Sequence, residues 1–222
     1  MKLFHSKKDY AYEALRENIL NGTLAPGSRL VIDQLAKDFG VSPIPMREAL
    51  QRLQSDGFVT IRPYSGVNVT KIHRGLVEEV LELLCPLEIV SSSKACEKMT
   101  NADFKNLRTL INTMSGEVED IEAWSQNNIV LHHYICQWAE MSLTQSLMEQ
   151  VLHRWHWLNR YYLKDQVIHY TRDDQHFHQQ WFAALQTQNP LTVTDVVTKY
   201  RKDRLAIFSD YAKQSWSLQE AA

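Results

Sequence analysis

Glycine is scarce in this chain. There are seven in 222 residues, and beyond residue 73 only Gly75 and Gly116 remain. A stretch of some 150 residues with so few breakers and no alternating strand pattern reads as helix throughout. Cysteine is scarcer still: Cys85, Cys96 and Cys136 are odd in number, widely spaced and without a C-x-x-C pair. That excludes a disulfide framework and a zinc knuckle and leaves buried reduced thiols. No apolar run approaches the roughly 20 residues that span a bilayer, and MKLFHSKKDYAYEAL has no apolar core of the kind a signal peptide needs. The expected location is the cytoplasm. No H-E-x-x-H, phosphate loop, Ser-His-Asp set or Cys-His set is present, so no enzyme is expected.

What is there is ordinary for a globular protein: 44% hydrophobic and 23% charged residues, with a net charge of −2. The charge is unevenly placed. Residues 1–72 carry 10 Lys and Arg against 7 Asp and Glu, and the remainder carries 14 against 19. A basic piece joined to an acidic one fits a nucleic-acid-binding head on a body that does not bind it.

The head has local signals. Tyr10, Ala14, Ile19 and Leu20 recur at helical spacing and Asn21-Gly22 stops the run. Ala25-Pro26-Gly27 is a turn. A short helix follows from Val31 to Phe39, closed by Gly40. Ser42 then stands as an N-cap before Pro43 and Pro45, and a third helix runs to about Ser55. Phe58–Ile61 and Val67–Thr70 flank an Arg62–Gly66 loop and read as a hairpin. Three helices and a hairpin make a winged helix-turn-helix. After a short linker near Lys71–Arg74, six helices are expected at about 75–98, 102–120, 121–139, 143–164, 171–187 and 190–217, with a capping box at Thr100 and Asp103. The fold class is therefore mostly α: a winged helix-turn-helix over 1–73 and an all-helical bundle over 74–222.

The segment PGSRL…LAKDFGVSPIPMREALQRLQSDGFVTIRPYSGVNV resembles the GntR family of bacterial regulators. Pro26–Leu30 matches its entry to the second helix. Gly40-Val41-Ser42 and Pro45–Leu50 match the turn and recognition helix, and Asp56-Gly57 and Gly66 match the helix exit and wing. The resemblance implies a regulator, most often a repressor, that binds a pseudo-palindromic duplex operator as a homodimer. Its DNA-binding residues would be Arg29, Ser42, Ile44, Arg47, Arg52, Ser65 and Gly66. Ser42 and the N–H groups of the helix start would meet a phosphate. Arg47 would meet a phosphate or a guanine, and Arg52 the backbone. The family often has arginine where Pro43 and Ser65 stand and a small polar residue in place of Ile44. An altered operator is therefore expected, with Ile44 on a thymine methyl and a flatter salt dependence.

A GntR head followed by a helical body is similar to the FadR subfamily, whose effector domain is called FCD, in its shorter six-helix branch. That resemblance implies a small-molecule effector pocket, here Asn128, His132, His178, Trp181 and Tyr200. In the family an Asp-x-x-x-His and two later histidines commonly bind a metal that, with an arginine, holds a carboxylate. Here Asn128 replaces the aspartate, Tyr200 falls at the last histidine, and Leu84 precedes Glu88 where the arginine would be. Two alternatives stay open. A divalent Zn, Ni or Mn ion sits on His132 and His178, helped by His133 or Asp203. Otherwise the metal is lost and the pocket takes an aromatic or uncharged ligand, or none. For the whole chain, the competing functions are a metal-dependent enzyme built on the helical body and a DNA-binding protein without an effector.

Overall fold

The computed structural model describes residues 6–63, 66–162 and 167–220. The chain divides into two compact units: residues 1–73 with 157–162, and residues 74–156 with 163–222.

In the first unit, α1 (Lys7–Leu20), α2 (Ile32–Asp38) and α3 (Pro43–Ser55) pack beside a small sheet of β1 (Arg29–Leu30), β2 (Val59–Arg62) and β3 (Gly66–Val69). Ser6 caps α1 by accepting the Asp9 N–H at 3.1 Å. The sheet order is β1-β3-β2, all antiparallel, with Val59 opposite Val69 and Arg62 opposite Gly66. The two-residue strand β1 goes beyond the expected hairpin. Its pairing of Arg29 with Asn68 and Leu30 with Val67 ties the start of the helix-turn-helix to the wing. Every third or fourth residue of α3 points inward: Met46, Ala49, Leu50 and Leu53 are all buried. They join Leu15, Ile19, Phe58, Val67 and Trp157 in one core.

The turn between α2 and α3 is set by Gly40, at φ +63°. Its N–H donates to Lys37 O at 3.2 Å and the Val41 N–H to Ala36 O at 2.9 Å, a Schellman stop that needs a left-handed residue there.

The second unit holds α4 (Arg74–Lys98), α5 (Asn101–Gly116), α6 (Ile121–Ala139), α7 (Ser142–Tyr162, up to His156 in this unit), α8 (Val167–Gln186) and α9 (Pro190–Glu220). Six helices with no strand among the described residues agree with the expected bundle. Two boundaries moved. Helix α5 stops at Gly116, and α8 begins four residues before Thr171. The Asp103 carboxylate caps α5, accepting the Thr100 N–H at 2.8 Å and its hydroxyl at 2.6 Å. The core is Ala95, Phe104, Leu107, Ile111, Trp124, Leu131, Ile135, Phe177, Trp181 and Val197 with their neighbours. Cys96 and Cys136 are buried free thiols and Cys85 is half-buried. No helix among the described residues is long and apolar enough to cross a membrane.

Candidate nucleic-acid interface and buried effector centre

The outer face of α3 carries Ile44, Arg47, Glu48, Gln51 and Arg52, all exposed. Ile44 is 67% exposed, the most open large apolar side chain among the described residues of the first unit. Leaving that aliphatic surface in water is less favourable than covering it, and at the tip of the helix it is open to an apolar partner. The Ser42 side chain makes no capping hydrogen bond. The expected cluster of N–H donors at this helix start is reduced: Pro43 and Pro45 have none, which leaves the N–H of Ile44 in the first turn.

The two arginines of α3 differ. Arg52 is held by α1: its guanidinium lies 3.9 Å from the centre of the Tyr12 ring and 3.7 Å from Asp9. Asp56, which sequence proximity offers to Arg52, instead accepts the Tyr12 hydroxyl at 2.6 Å. Burial first, and then Asp56, push the Tyr12 phenol well above its ordinary pKa. Glu48, the neighbour of Arg47, faces Lys8 at 3.9 Å. Arg47 has no ion pair or hydrogen bond among the described residues and points to solvent. Arg29 is exposed on β1, and a Cβ added at Gly66 would stand 3.7 Å from its Nε. Gly66 opens β3 at φ +83°. Ser65 lies outside the described residues.

In the second unit the structure gathers Asn128, His132, His178, Trp181 and Tyr200 around one buried centre. Asn128 and His132 share a face of α6 at i and i+4. The His132 ring lies 5.9 Å from His178 and 5.2 Å from Trp181. His178 stacks on Trp124 at 5.5 Å. Tyr200 stacks on Phe177 at 4.1 Å and donates its hydroxyl to Asp174.

At the middle stands Glu88 of α4, 0% exposed. It accepts Nε of Arg201 at 2.7 Å, Nη2 of Arg201, and Nε2 of His132 at 2.9 Å. Burial alone would raise the Glu88 pKa. The Arg201 charge and the hydrogen bonds from His132 and Arg201 overcome it and hold the carboxyl at about 2. A second buried pair follows one turn along α9, where Arg204 Nη2 meets Asp174 at 3.1 Å and Tyr170 O at 3.1 Å. Burial, reinforced by the positive neighbourhood of His132, holds His178 down at about 3, so it is neutral.

Sequence reasoning missed Arg201, Arg204 and Asp174. The expected vacancy of the cation beside Glu88 is corrected: the guanidinium absent from α4 arrives from α9. The helpers proposed for a metal do not reach the centre. Asp203 is exposed, and His133 Nε2 is 3.5 Å from Glu149 on another face. His132 spends Nδ1 on the Asn128 carbonyl at 2.8 Å and Nε2 on Glu88. Among the described residues no group of three or more His, Cys, Asp or Glu is placed to hold a metal ion. The donor set therefore does not fit a metal. Several buried polar atoms around the centre lack a hydrogen-bond partner, among them Asn128 Oδ1, His178 Nδ1, Trp181 Nε1 and Arg201 Nη1.

Residues 7–69 match the family model described as bacterial regulatory proteins, gntR family, and residues 79–201 match the FCD domain. The chain is 28% identical over 144 residues to the uncharacterized HTH-type transcriptional regulator YdhC of Bacillus subtilis, covering 63% of this chain and 64% of that protein. It is 27% identical over 139 residues to the HTH-type transcriptional regulator McbR of Escherichia coli, covering 62% and 63%. The matches thus span just under two thirds of these relatives' length. Among solved structures, Escherichia coli McbR/YncC superposes with a TM-score of 0.72 at 22% identity, covering 94% of this chain and 100% of that one. Lar, which controls expression of the Listeria monocytogenes agr system, superposes at 0.65 with 19% identity, covering 95% and 99%. At these identities the structural likeness is one of fold.

Proposed function

The chain belongs to the gntR family of bacterial regulatory proteins and carries an FCD domain, and on that footing we propose that it acts in the cytoplasm as a homodimeric repressor. It binds a pseudo-palindromic operator through α3 and the wing and is released or tightened by a small molecule in the helical unit. Arg47 is the carrying observation: an exposed cation on the outer face of a packed recognition helix, beside the open Ile44, with no internal partner among the described residues. A side chain of that length one turn into the helix reaches a guanine edge or a phosphate in the major groove. Arg29 and Gly66 meet the backbone from the wing. Arg52, held on Tyr12, serves to orient α3 on α1 before it serves DNA.

Dimerisation rests on α4. Its inner face is buried, whereas Leu83 and Val90 are exposed with the half-buried Leu87 between them, one stripe at i, i+4 and i+7. A matching operator would carry two half-sites about 34 Å apart, one turn of duplex. The effector reading rests on the unpartnered buried polar atoms gathered at this centre, Asn128 Oδ1, His178 Nδ1, Trp181 Nε1 and Arg201 Nη1 among them, since such groups are mostly satisfied in a native core. The effector would bind among Asn128, His132, His178, Trp181 and Tyr200 and act by preferring one dimer pose. No catalytic step belongs to this function.

The test is selection of preferred sequences from a random duplex pool by the full chain, at moderate salt. A two-fold symmetric preference that Arg47→Ala abolishes, with the oligomer intact, is the expected outcome. Equal affinity for selected and random duplex would end the regulator reading.

A further inference from the structure

We infer that the Arg201 guanidinium occupies the cationic place that a divalent metal would take at the centre of the helical unit, so that this domain is complete without a metal ion. The disagreement with the metal pattern implied by the family is chemical, position by position. A carbonyl and an ionised carboxylate only accept hydrogen bonds. Both ring nitrogens of His132 are already engaged by such acceptors, at 2.8 and 2.9 Å, and neither points into open space where an ion could sit. The Tyr200 hydroxyl donates to Asp174 and so keeps its proton, and a neutral phenol is a poor ligand. Asn128 offers a neutral amide oxygen, a weak donor. His178 alone retains a free ring nitrogen of the required strength. A stable zinc-type site needs three or four strong donors.

Charge leads to the same place. Glu88 is fully buried and its carboxylate requires a counter-charge. Arg201, 6% exposed, supplies it through two donors, the fork-to-carboxylate geometry that a guanidinium satisfies better than any other protein cation. A divalent ion entering beside it would meet a fixed positive charge in a poorly screened interior. Removing Arg201 takes the fixed positive charge away and leaves the Glu88 carboxylate beside His132 and His178 as the anionic place to which an added cation is drawn.

The experiment uses the untagged full chain. Metal content is measured by mass spectrometry, and thermal midpoints are compared with ZnCl2, NiCl2, MnCl2 and EDTA. The wild-type protein is expected to carry far less than one metal per protomer and to melt at the same temperature in all four. Arg201→Met is expected to gain several degrees with ZnCl2, and Glu88→Gln/Arg201→Met to gain none. If Arg201→Met does not fold alone, refolding with and without ZnCl2 gives the same comparison. A stoichiometric metal in the wild-type protein, a midpoint lowered by EDTA, or zinc acting equally on both variants would overturn the inference. None of these readouts involves DNA or an effector, so they stand apart from the regulator reading.

Discussion

Replacing thymine by uracil in a duplex removes one methyl group from the major groove and changes no hydrogen-bonding atom. That makes it the sharpest probe of Ile44. The side chain is 67% exposed at the tip of α3, and its neighbours Pro43 and Pro45 donate no hydrogen bond. A thymine methyl packed against it would be worth about 0.8 kcal/mol, the cost of exposing one buried carbon. That is roughly a fourfold loss of affinity per half-site and, with two half-sites, on the order of fifteenfold. The assay is fluorescence anisotropy at one fixed salt concentration, scanning each thymine of the selected operator in turn. One symmetric pair of thymines should respond, and Ile44→Ala should erase that response while leaving the other positions unchanged. A flat scan on an operator still bound specifically would refute the placement of Ile44 without touching the role of Arg47.

Arg47→Ala should weaken selected duplex by about 1–3 kcal/mol per half-site if the contact is a base edge, and random duplex far less; competition titrations separate the two. Gly40→Ala should cost about 1 kcal/mol in urea unfolding, because φ is +63° and an added Cβ meets nothing within 4 Å, so strain is the whole penalty; an unchanged midpoint would refute that account. Burial holds His178 near pKa 3, below the roughly 6.5 of an unfolded histidine. The folded state therefore declines a proton that the unfolded state takes. The contribution of His178 to stability is complete above about pH 6.5 and is lost as pH falls toward 3, at roughly 1 kcal/mol per pH unit. His178→Phe should flatten the urea-unfolding slope between pH 5 and 7 by that amount, and an unaltered slope would count against the burial argument.

The head was legible because its determinants are local. Gly40, Ser42 and the inward spacing of Met46, Ala49, Leu50 and Leu53 act within a few residues of themselves, and each helix stop has its own residue. The strand β1 escaped because two residues, Arg29 and Leu30, carry no alternation and exist as a strand only through pairing with Val67 and Asn68. The buried centre was half legible. Asn128 and His132 announce a shared helix face by spacing alone. Arg201 does not announce its partner, because the Glu88 carboxylate it holds is 113 positions away in sequence. Arg201 also lies about 100° further round the helix than Tyr200, so the spacing that points to position 200 does not point to it.

Stability alone does not account for the centre. Glu88, His132, Arg201, Asp174 and Arg204 tie α4, α6, α8 and α9 together, yet apolar residues of similar volume would serve a bundle as well or better. Breaking one member is another matter. Arg201→Met leaves an uncompensated buried carboxylate and should cost about 3–5 kcal/mol, while Glu88→Gln/Arg201→Met should recover most of that loss. What the ionic version adds is competition: His132 on α6 and Arg201 on α9 share one carboxylate on α4. A ligand that takes over any of these hydrogen bonds must shift the balance between two helices, which gives it different affinities for two poses of the bundle. The double variant should therefore be stable and fully competent for operator binding, yet its operator affinity should no longer respond to whichever small molecule shifts the wild-type protein. A double variant that still responds would show that the signal does not pass through Glu88.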